Sequence, residues 1–166
     1  MRRRTVHTDN RGFTLAEVIV ASMVLIVALL VIATMFPMGH QQVVDAGRMT
    51  LAVTAARQVL EDIGSLPFDS VVNLNGYSTA NVATLPANGP ELAAARRWRY
   101  MVGGAGGGFT FTTAEMTEYG SVTPMGGTAT IQVTSPTTTQ RQATVTVSVP
   151  GLTTNVQLTT VVVRMF

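Results

Sequence analysis

Few residues in this chain have the type and spacing to do chemistry, and the most unusual of them is Glu17, at the mouth of a long apolar run. An ionisable group inside a membrane helix costs about 2.5–3.5 kcal/mol at the centre and less toward an edge, so it normally has a partner. Nothing basic lies within one helical turn on the C-terminal side of Glu17. A free α-amino group would serve as partner; solvation by lipid headgroups is the other reading of a carboxylate at this boundary. The remaining candidates are weaker. His7 and His40 are the only two histidines and are far apart in sequence, and there is no cysteine, which excludes a disulfide framework, a thiolate metal site and an acylated-cysteine anchor. Glu115 and Glu118 have the spacing of a carboxylate pair but read as a solvated loop pair. Serines and threonines abound without a histidine to activate them. Gly103-Gly104-Ala105-Gly106-Gly107-Gly108 is followed by no Lys-Ser or Lys-Thr, so it reads as a flexible connection and not as a phosphate loop. The residues predict no catalytic activity, no cofactor and no metal.

The elements that must position Glu17 are legible. From Val18 to Phe36 the only polar residues are Ser22 and Thr34, and a helix of that length covers about 28 Å, the hydrocarbon thickness of a bilayer. A bilayer enforces the helical state, because backbone groups there must bond internally. Residues 1–12 hold four arginines against one acid, a net of +3; residues 13–166 hold seven arginines against eight acids, a net of −1, which together make the chain's +2. The positive-inside rule then keeps the N-terminus in the cytoplasm and sends the bulk of the chain out. A secretory signal peptide fits less well: the apolar run is longer than 7–15 residues and leads to Thr34-Met35-Phe36-Pro37, with no A-x-A-like site. With the excess charge confined to the leader, the folded part has no basic face for nucleic acid; Arg96, Arg97 and Arg99 beside Trp98 read as a solvated strand end.

The segment Arg11-Gly12-Phe13-Thr14-Leu15-Ala16-Glu17-Val18 resembles the class III signal of type IV prepilins and type II secretion pseudopilins. That signal is a short basic leader ending in Gly, then Phe or Met, then Glu at the fifth mature position, then an apolar helix. Ala16 stands where Ile or Val is common. The resemblance implies cleavage between Gly12 and Phe13 by a prepilin peptidase, N-methylation of Phe13, and pairing of Glu17 with the Phe13 amine of a neighbouring subunit to set axial register. It implies as partners that peptidase, other pilin or pseudopilin subunits and the inner membrane. The C-terminal domain would be extracytoplasmic, and the assembled filament extracellular or periplasmic. Arg48 to Leu66 and the last forty residues are loosely similar to minor pilins and pseudopilins with a compact β-domain.

Four regions are expected: a leader over 1–12, a membrane or filament-core helix over 13–37, an amphipathic continuation over 38–66 and a β-rich domain over 67–166. Pro37 and Gly39 predict a kink or short melted stretch, after which Met49, Val53, Ala56, Leu60 and Ile63 form an apolar stripe that Gly64-Ser65-Leu66-Pro67 ends. Residues 68–91 read as loop, 91–97 as a short helix, and 98–102 and 109–113 as strands. Three alternating runs follow, over 128–134, 143–149 and 156–163, separated by Ser135-Pro136 and Pro150-Gly151; they predict an antiparallel meander with Val145, Val147 and Val149 turned to the helix. Pro136-Thr137-Thr138-Thr139 has the composition of an O-linked sugar acceptor. The fold class expected is α+β, a long N-terminal helix packed on a small C-terminal antiparallel sheet. The function expected is that of a filament subunit; the alternative is a single-pass anchored extracytoplasmic binding domain that does not polymerise.

Overall fold

A computed structural model describes residues 13–164. The fold is α+β: a long helix α1 (Leu15–Ser65), a short α2 (Phe68–Val71), α3 (Pro90–Gly103), α4 (Thr113–Tyr119) and three strands, β1 (Thr128–Thr137), β2 (Gln140–Ser148) and β3 (Val156–Val163). The chain divides into two compact units at Val43/Val44.

In the first unit every described residue, from Phe13 to Val43, is exposed. α1 continues through Pro37 and Gly39 without the melted stretch expected there. Proline removes one hydrogen bond, to the Ala33 carbonyl, but its fixed φ remains compatible with the helix. Ser22 and Thr34 donate their hydroxyls to the carbonyls of Ile19 and Val31, both at 2.8 Å, which leaves no free hydroxyl on the apolar surface.

The second unit is built on the last third of α1. Its core-facing residues are Ala52, Ala55, Ala56, Val59 and Ile63. The expected stripe is therefore rotated: Met49 is exposed, and Val53 and Leu60 sit at the margin. The alanines explain the shift, because the smallest side chains lie where a helix backbone approaches a packed sheet most closely. The residue before Pro67 is barred from the helical region, and the helix ends there, at Ser65.

The sheet is a meander in the order β1-β2-β3, antiparallel throughout. Ala129, Ile131, Val133, Ala143, Val145, Val147 and Val156 enter the core shared with α1; the alternating Thr, Ser and Gln residues of β1 and β2 face outward, while in β3 Thr160 lies on the core side and Gln157, Thr159, Val161 and Val163 face outward. Ser135-Pro136 is no turn: β1 runs on to Thr137 through a register shift between Thr134 and Thr137, where an edge strand tolerates proline. The hairpin turns at Thr138-Thr139 instead.

Two expected strands are absent. Residues 98–102 belong to α3, a helix of 14 residues and not the short piece foreseen over 91–97. Pro90 opens it, Glu91 lies in its first turn, and Glu91, Ala95, Trp98, Arg99 and Val102 recur at helical spacing on its buried face. Residues 109–113 form only an isolated bridge between Gly106 and Phe109 before α4 begins. The segment read as loop over 68–91 contains α2 and two single 3₁₀ turns, Val72–Leu74 and Val82–Thr84.

Trp98 is the hub of this unit. It is fully buried, lies 6.4 Å from the Tyr77 ring, and donates its indole N–H to Asp62 Oδ2 at 2.7 Å. Arg97 reaches the same carboxylate oxygen at 2.5 Å. Tyr77 donates its hydroxyl to the Ala95 carbonyl at 2.6 Å. Asp62 of α1 thus ties α3 to the long helix by two charge-assisted bonds.

Candidate functional site

Glu17 sits in the first turn of α1, and the structure gives it a partner that basic-residue counting missed. Thr14 donates its backbone N–H (2.9 Å) and its hydroxyl (3.0 Å) to Glu17 Oε2, while the Glu17 N–H donates to Thr14 Oγ1 (3.3 Å). This is a capping box, legible as Thr-x-x-Glu, in which two orphan amides at a helix start are satisfied reciprocally. Thr14 engages Oε2 alone, and among the described residues no side chain or amide bonds Oε1. Phe13, directly before Thr14, is 88% exposed. Gly12, the residue expected before the cut, lies outside the described residues, as does His7.

Leu15, Val18, Ile19, Val20, Met23 and Val24 lead a continuous apolar surface that runs along α1 to Phe36. In water such a surface is unsustainable: it is far larger than the few hundred Å2 that monomers tolerate. Ridges of Val, Ile and Leu present no charge between Val18 and Phe36, so lipid tails or other apolar helices can cover it on all sides. α1 is one helix long and apolar enough to cross a membrane.

Of the other candidate residues, Glu115 and the three arginines have structural duties. His40 is exposed on α1, and no group of three or more His, Asp or Glu able to hold a metal occurs among the described residues. Glu115 and Glu118 are on α4 and not in a loop, and they do not act as a pair. Glu115 closes a second Thr-x-x-Glu capping box with Thr112 and pairs with the Arg96 guanidinium through both oxygens. Hydrogen bonds from Arg96, opposed by partial burial and assisted by Thr112, pull its carboxyl down to about 2. The sign is that of a depressed carboxylate: the stabilisation is complete above about 4.5 and is lost as pH falls toward about 2. Glu115→Gln is expected to lower stability at neutral pH by about 1–2 kcal/mol and to flatten the loss on acidification. Urea midpoints of the two proteins at pH 7 and pH 3 check this; equal acid sensitivity would contradict it.

The arginine cluster is likewise on a helix and not at a strand end. Arg96 serves Glu115, Arg97 serves Asp62, and Arg99 is buried. The Arg99 guanidinium stacks on Phe109 at 4.9 Å and donates to the Gly106 carbonyl at 3.0 Å. A Cβ on Gly103 would come within 1.8 Å of Arg99 Nη1, and one on Gly107 within 2.9 Å of Nη2. The glycine-rich stretch is therefore a cradle for an arginine side chain. Thr137 and Thr138, at the hairpin tip, are exposed.

A scan against family models finds no match to this chain, and neither curated proteins nor solved structures give one. The reading of function rests on the residues and their placement: a helix long and apolar enough to span a membrane, capped at Glu17, joined to an α+β unit with its own core.

Proposed function

We propose that this chain is a type IV pilin-like structural subunit, of the minor pilin or pseudopilin kind, cut between Gly12 and Phe13 and assembled through α1. The observation that carries the reading is the unbroken exposed apolar surface from Leu15 to Phe36, with Glu17 as its only charge. A bilayer accommodates that surface before assembly, and a bundle of like helices accommodates it afterwards. In the bundle the Glu17 carboxylate, held by Thr14 at one oxygen, pairs through the other with the α-amine that cleavage creates at Phe13 of a neighbour. Burial makes the pairing demanding, because neither charge tolerates being alone in a low dielectric. The motif spanning Arg11 to Val18 supports the same order of events, and the leader arginines support export of the C-terminal unit across the inner membrane.

Gly12 is assigned to the cut because a side chain there would hinder approach of the peptidase. Replacing it with a bulky residue such as leucine is expected to leave an uncut precursor in the membrane, visible as a band heavier by the mass of the leader. Efficient processing of that variant would contradict the assigned site.

A further inference from the structure

Two Asn-Gly pairs occur in the chain, Asn75-Gly76 and Asn88-Gly89. Such a pair carries a chemistry of its own. The glycine nitrogen, after losing its proton to solvent, attacks Cγ of the asparagine side chain. The new N–C bond closes a five-membered succinimide, and the side-chain nitrogen leaves as ammonia. Water then opens one of the two ring carbonyls, giving aspartate or isoaspartate. The balance is one water taken up, one ammonia released and one negative charge gained. Glycine is the permissive second residue because it has no Cβ to crowd the attacking nitrogen. Two freedoms are required: a carboxamide able to swing onto the next nitrogen, and a backbone N–H not already committed.

Asn75-Gly76 has neither. Asn75 Oδ1 accepts the Val133 N–H at 3.0 Å, which holds the carboxamide against β1. The Gly76 N–H donates to the Ile131 carbonyl, also at 3.0 Å. Ring closure there must wait for this segment to open from the sheet, and its rate falls with the population of that open form.

Asn88-Gly89 has both. Asn88 is exposed, and among the described residues its carboxamide makes no hydrogen bond and the Gly89 N–H has no acceptor. The fold also imposes the reactive neighbour. Gly89 is the N-cap of α3 with φ at 87°, and a Cβ there would lie 2.5 Å from Glu91 Oε2. A side chain at position 89 is therefore opposed by both the backbone and the buried Glu91. The product is tolerated: a carboxylate at residue 88, directly before the N-cap, faces the positive end of the α3 dipole. At position 75 the same reaction would remove the residue that holds the Val133 amide.

We infer that Asn88 is a self-modification site, converted through a succinimide with Gly89 to aspartate and isoaspartate, while the fold shields the chemically equivalent Asn75. This inference does not rest on the filament reading, since it concerns the C-terminal unit alone.

The test incubates the full chain in detergent micelles in mildly alkaline buffer and follows each asparagine by peptide mass spectrometry. Digestion after Tyr77 puts the two sites on different peptides, and Asn155, followed by the β-branched Val156, is the internal control. Conversion at Asn88 is expected to run at least about tenfold faster than at Asn75 and to leave Asn155 unchanged. In concentrated urea the two Asn-Gly sites are expected to convert at similar rates, because the bonds that shield Asn75 are gone. Equal rates at Asn75 and Asn88 in the folded chain would overturn the proposal, and so would conversion at Asn88 no faster than at Asn155. A preference for Asn88 that persists undiminished in urea would also overturn it, since the fold would then not be the shield.

Discussion

Trp98→Ala is expected to lower the stability of the C-terminal unit by about 3–5 kcal/mol, the largest effect of any single truncation in this core. Trp98 is the chain's only tryptophan; it is fully buried on α3, bonded to Asp62 of α1 and set against the Tyr77 ring. Alanine there opens a cavity in a core whose α1 contribution is largely alanine, Ala52, Ala55 and Ala56, side chains that have no rotamers to shift. It also strips Asp62 of one of its two donors. Trp98→Phe separates the contributions: it keeps most of the bulk and deletes the N–H, with an expected cost of about 1–2 kcal/mol. Urea unfolding followed by circular dichroism measures both. A loss below about 1 kcal/mol for the alanine variant would mean that α3 is not docked on α1 through this residue.

Glu17→Ala is expected to leave membrane insertion and leader removal intact and to reduce incorporation into filaments on the order of a hundredfold, from about 3 kcal/mol lost when one partner of a buried charge pair is removed. The capping box offers a rival explanation, because the same substitution also uncaps α1. Thr14→Val distinguishes the two. It removes the hydroxyl of the box but leaves the carboxylate free to meet an amine. If Glu17 only caps its own helix, both variants should assemble equally badly. On the pairing account Thr14→Val assembles at nearly the normal level. Quantifying each subunit in sheared filaments against its amount in the membrane gives the answer.

The parts of the fold governed by strict local periodicity were legible in the sequence. The uncharged run before Phe36 specifies a helix by itself, and the three Thr/Val runs after Thr128 specify strands whose inward valines follow from alternation alone. The middle of the chain was not legible in the same way. Trp98-Arg99-Tyr100-Met101-Val102 has the aromatic and β-branched content of a strand, yet its buried members stand at helical spacing from Glu91 and Ala95, a period visible only over the full 14 residues. α4 carried a readable start signal, Thr112 followed by Glu115, and so did Glu17 with Thr14. Neither signal shows in charge patterning, because a glutamate's bond to a backbone amide at a helix start leaves no trace there. The cradle around Arg99 is illegible in principle from spacing, since it depends on which side of α3 the glycine stretch folds back upon.

Processing to begin at Phe13 is what the proposed function requires, and the mass of the N-terminal peptide, taken from the native membrane, decides it. A chain starting at N-methyl-Phe13 is the predicted result, since the pairing proposed for Glu17 requires the amine that cleavage exposes. A chain still carrying Arg2 to Gly12 would contradict the account and leave an anchored domain that does not polymerise.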